Sequence, residues 1–151
     1  MSPVYKNLPA VYKREKTGIQ VAPQDNPLFN NYETGRVCRE GNRRLASTVA
    51  LYAHRDQGLK ILEVGAGTGN AISEILPALK DDSPWRQYLE YRFTDTTTSF
   101  LAGEEERFSK FEGITFGGFA MERSGESQGY ELDWGLVVAS NVMLQLLSLW
   151  Q

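Results

Sequence analysis

The chain has one cysteine, one histidine and no basic run among its 151 residues. A lone thiol, Cys38, excludes an internal disulfide and a thiolate metal site, and reads as an ordinary buried or half-buried side chain. The lone imidazole, His54, falls in the last turn of a helical pattern, where a cationic ring suits the helix C-terminus. A net charge of −3 without a basic run argues against nucleic acid as a partner. No stretch approaches the roughly 20 apolar residues of a membrane span. The last apolar run, 136–150, is broken by Ser140, Asn141, Gln145 and Ser148, and residues 1–16 are too polar for a signal-peptide core. A cytoplasmic protein with no membrane partner is the expectation. There is no internal repeat.

What is present suffices for one globular domain: 41% hydrophobic and 23% charged residues. Residues 1–41, punctuated by Pro3, Pro9, Pro23 and Pro27, read as an N-terminal arm and lead-in; residues 42–151 read as the folded domain. The helical pattern starts with Asn42 as cap and ends at Gly58, with Leu45, Val49 and Tyr52 on one face. Strands are expected at Leu59–Val64, Tyr88–Asp95, Ile114–Phe119 and Leu136–Ser140, with helices over Ala71–Leu79 and Phe100–Phe111. Pro77 should bend or shorten the first of these, and Gly117 and Gly118 should weaken the third strand. Strands alternating with helices imply a parallel α/β sheet, whose ligands bind beyond the carboxyl ends of the strands.

Those ends carry the chemistry. Residues 60–70 read K-I-L-E-V-G-A-G-T-G-N, a buried strand followed by glycines at alternate positions. Gly65, Gly67 and Gly69 remove the Cβ atoms that would block close approach of a ligand to backbone or forbid positive φ. Glu63 is costly to bury without a partner. Asp95, ending the second strand, can accept hydrogen bonds from both hydroxyls of a ribose, though it can equally cap the helix that follows. A nicotinamide dinucleotide is the rival ligand, and would make the chain an NAD-dependent oxidoreductase. Its fingerprint wants G-x-G-x-x-G, whereas here Asn70 stands at the last position.

The stretch I-L-E-V-G-A-G-T-G-N-A-I-S-E-I-L-P-A-L resembles the first motif of class I S-adenosylmethionine-dependent methyltransferases. More narrowly, it is similar to the C-methyltransferase domain of fungal reducing polyketide synthases. Tyr91-Arg92-Phe93-Thr94-Asp95, Phe100-Leu101, Glu106-Arg107-Phe108, Gln128-Gly129-Tyr130-Glu131 and the strand from Leu136 to Val142 match later landmarks. The resemblance implies a Rossmann-like parallel sheet of the class I methyltransferase type with its C-terminal strands missing, a truncated copy. It implies S-adenosyl-L-methionine as cofactor and a carrier-bound polyketide carbon as methyl acceptor. Glu63, Gly65, Ala66, Gly67, Thr68 and Gly69 would surround the methionine moiety, Asp95 would take the ribose, and Thr96, Met121 and Asn141 complete the candidate set. Two positions depart from the pattern. Ala120 stands where an Asp would bond the adenine amine, and Leu144 stands where a catalytic His would take a proton. No catalytic residue is therefore assigned. A further reading is a non-catalytic interaction module, associating with a synthase or with itself through an open sheet edge.

Overall fold

The computed structural model describes residues 36–80, 86–98, 101–131, 133–140 and 142. Residues 1–35 of the expected N-terminal arm and lead-in (1–41), the candidate Asn141, and Leu144 all lie outside the described residues. Among the described residues, β1 (Lys60–Val64), β2 (Glu90–Asp95), β3 (Ile114–Gly118) and β4 (Leu136–Val138) form one parallel sheet in the order β3-β2-β1-β4. The α/β sheet is as the sequence implies. β1 sits inside the sheet with Ile61 to Val64 all buried, which is why it reads as a continuous apolar run rather than an alternating one.

The helices are α1 (Arg36–Arg55), α2 (Asn70–Lys80) and α3 (Leu101–Phe108). α2 runs through Pro77 to Lys80, so the proline does not end it. α1 begins six residues before the expected start, and Asn42 is no cap. It is a buried mid-helix residue whose Oδ1 accepts from the Ser140 hydroxyl at 2.8 Å. The buried stripe is Asn42, Ala46, Val49 and Ala53, while Tyr52 is 53% exposed. The tyrosine is left largely in solvent.

Partners in register project to the same side of a parallel sheet, so Ile61, Tyr91, Leu136 and Ile114 share one face with Glu63, Phe93, Val138 and Phe116. The main core joins that face to α1, α2 and Phe108 of α3. On the other face Leu62 and Val64 pack with Tyr130, Phe119, Met121 and Trp134, all supplied by the segment between β3 and β4. Gly117 serves that packing: a Cβ there would stand 2.9 Å from the Tyr130 hydroxyl, which donates to the Gly118 carbonyl. Strand order reverses between β1 and β4, and the turn leaving β1 opens at that switch point.

Candidate functional site

The turn after β1 is built on three left-handed glycines, with φ of 65° at Gly65, 54° at Gly67 and 70° at Gly69. They do not share one task. A Cβ on Gly65 would lie 2.1 Å from Val142, and one on Gly69 would lie 2.8 Å from a Glu104 carboxyl oxygen and 3.0 Å from the Phe108 ring. Both gaps are filled by the protein itself. Only Gly67 has nothing within 4 Å, so only there does bare backbone face open space. The positive φ expected of the three glycines holds at each, while open space beside the backbone is found only at Gly67 of the three.

Asp95 closes on this turn. Its Oδ2 accepts from the Gly67 N–H at 2.9 Å, and its Oδ1 accepts from the Thr97 N–H at 2.8 Å, with the Thr96 hydroxyl at 3.5 Å. The carboxylate thus ties the β1 turn to the β2 turn and also caps the chain leaving β2. A carboxylate offers about four lone-pair sites, so Oδ2 keeps one for a further donor, and Oδ1 gains one where the long Thr96 contact gives way.

Glu63 is nearly inaccessible, at 1% exposure, on the helix-covered face. The Tyr91 hydroxyl donates to its Oε2 at 2.7 Å, and burial pushes its carboxyl up to about 8, with the Tyr91 bond pulling the other way and Asp95 adding to the rise. At neutral pH it is mostly a neutral acid, not a free carboxylate in the crevice. The Thr94 hydroxyl bonds the Glu63 carbonyl at 2.6 Å, and the Ala66 N–H reaches the Thr94 carbonyl at 2.9 Å, carrying the strand pairing into the turn.

Beside Asp95 lies a cavity of about 360 Å³ lined by Thr96, Gly118, Phe119, Ala120, Arg123 and Gln128. Thr96 is where the sequence led one to look. Met121 packs on the cluster of Leu62, Val64 and Tyr130, as Phe119 does, while Phe119 and Ala120 line the cavity wall. Sequence reading missed the clamp behind the turn. Arg107 of α3 donates to the Thr68 carbonyl at 3.1 Å and the Ser73 hydroxyl at 2.8 Å, and pairs with Glu104 at 3.1 Å. Glu104, Arg107 and Phe108 are spaced three and four apart, one stripe of α3, and that spacing was the available signal. Among the described residues no group of three or more metal-ligating side chains occurs, and no described helix is long and apolar enough to cross a membrane.

No protein-family model matches the chain. It is 34% identical over 137 residues to the highly reducing polyketide synthase resH of Aspergillus sclerotiorum, covering 90% of this chain and 5% of that protein. It is 32% identical over 136 residues to prosolanapyrone synthase of Alternaria solani, with 90% and 5% covered. In structure it is similar to the trans-methyltransferase CalH, solved as a complex with SAH, at a TM-score of 0.69 and 26% identity, over 93% of this chain and 38% of that one. It also shares the fold of the CurJ carbon methyltransferase, at a TM-score of 0.68, 24% identity and 94% and 38% coverage. The chain therefore spans a small part of the synthases it matches.

Proposed function

Since the chain is a methyltransferase-type domain homologous to a segment of fungal highly reducing polyketide synthases, we propose that its glycine turn and cavity bind S-adenosyl-L-methionine. One observation carries the reading: the Asp95 carboxylate lies between the open backbone of Gly67 and the cavity-lining Thr96, with an acceptor site left on Oδ2. The residues fit the group. Asp95 would accept from the ribose hydroxyls, and charge-assisted bonds of this kind contribute ~1.5–3 kcal/mol each. Thr96, Phe119 and Ala120 would enclose the base. Ala66, Gly67 and Thr68 would run along the methionine portion, with Glu63 behind them and Gly65 and Gly69 shaping the turn.

When bound, the sulfonium supplies an electrophilic methyl group. The chain's own part is alignment, since methyl transfer needs little covalent help. The acceptor in this reading is a carrier-bound polyketide carbon and the working context a synthase, which the likeness to segments of polyketide synthases supports. Carbon methylation also needs a base to remove a proton, and the hydrocarbon side chain of Leu144 cannot serve. Losing a general base costs ~10²–10⁴-fold in rate, so binding is expected to outlast turnover. Calorimetric titration with S-adenosylhomocysteine tests the proposal. Saturable heat at micromolar to millimolar ligand supports it; no heat from folded protein refutes it.

A further inference from the structure

The Gln128 carboxamide is engaged on every side. Its Oε1 accepts from the Ala120 N–H at 2.7 Å, while its Nε2 donates to the Ala120 carbonyl at 2.9 Å. The same nitrogen reaches the carbonyls of Arg123 at 3.1 Å and Ser124 at 3.3 Å. Ala120 lies past the end of β3, an edge strand among the described residues, so no neighbouring strand pairs with it. Gln128 supplies the donor and acceptor that such a strand would have offered. The surroundings hold it in place: it ends a 3₁₀ turn, Glu126–Gln128, stopped by Gly129 at φ 80°, and the Tyr130 N–H bonds the Gly125 carbonyl at 3.0 Å. The Phe119 and Tyr130 rings meet edge to face at 5.0 Å. Gln128 and Ala120 both line the cavity beside Asp95.

We propose that Gln128 is a positioning residue for the nucleoside end of the ligand, its carboxamide fixing the exit of β3 as the cavity wall against which the purine base rests. The inference depends on the cofactor reading above and assigns it a residue that the β-strand-end logic does not reach. It also has a chemical signature. An ionised glutamate has no donor and would set a negative charge against three carbonyl oxygens. A protonated one offers one O–H and one C=O, the same pair that Ala120 uses.

The test titrates S-adenosylhomocysteine and 5′-methylthioadenosine, which lacks the amino-acid tail, into wild type, Q128A and Q128E at pH 8 and pH 5. Far-UV circular dichroism checks the fold. Q128A should weaken both ligands tenfold or more by the same factor, because the defect lies at the base. Q128E should be as weak as Q128A at pH 8, and its affinity relative to wild type should recover at least fivefold at pH 5. If Q128A stays within twofold of wild type, or the Q128E ratio is flat with pH, the proposal is wrong and the cofactor site stands. If wild type binds neither nucleoside, the cofactor reading fails and the role of Gln128 falls with it. Should Q128A not fold, the pH dependence of Q128E decides alone.

Discussion

Glu63 makes the stability of this domain depend on pH in an unusual direction. Its carboxyl is pushed from 4.5 to about 8, chiefly by burial, so the folded chain keeps a proton that the unfolded chain releases. The contribution of this group is full below pH 4.5 and drains away as pH rises through the window to about 8. Each pH unit inside the window costs ~1.4 kcal/mol, so the whole of it amounts to about 5 kcal/mol, a large share of a small domain's stability. Glu63→Gln keeps an acceptor for the Tyr91 hydroxyl and cannot ionise. Urea unfolding followed by tryptophan fluorescence at pH 5, 6.5 and 8 should show wild type losing several kcal/mol across the series. The glutamine variant should lose far less, the difference between them isolating this one group. Equal slopes for the two proteins would refute the assignment of Glu63 as a buried neutral acid.

Other outcomes follow from the same geometry. Gly65→Ala and Gly69→Ala should destabilise by more than ~2 kcal/mol in thermal unfolding, since each new methyl group meets protein atoms at under 3 Å. Gly67→Ala, with open space before it, should cost only the ~1–2 kcal/mol of a left-handed alanine while weakening S-adenosylhomocysteine most in calorimetry. Asp95→Ala should weaken that ligand ~10–100-fold, the loss of one or two charge-assisted bonds, and a change under threefold would remove Asp95 from the site. Arg107→Ala should speed amide exchange at the turn after Thr68 and lower affinity several-fold, with Arg107→Lys in between, because one ammonium cannot reach the Thr68 carbonyl and the Ser73 hydroxyl in the guanidinium's fork.

The sheet was legible because its signals are local. The buried run of β1, the left-handed glycines and an acid ending β2 each follow from one stretch of chain. Positions that depend on distant partners were not. Asn42 reads as a cap until Ser140, 98 residues on, is found at its side chain. Gly65 and Gly69 look like Gly67 in the motif, and only Val142, Glu104 and Phe108 separate their roles. Gln128 stood in a stretch that matched the family, but its role stayed hidden, since a side chain that pairs with backbone leaves no periodicity.

The account turns on whether the junction of Gly67 with Asp95 receives an adenosyl ligand. Amide chemical shifts of the ¹⁵N-labelled chain, followed during titration with S-adenosylhomocysteine, report on it residue by residue. Saturable shifts are expected at Gly67, Thr96, Thr97 and Ala120, with Lys60 and Glu90 at the opposite, amino ends of β1 and β2 unmoved. A titration that leaves the first group still, or moves only residues remote from Asp95, contradicts the account.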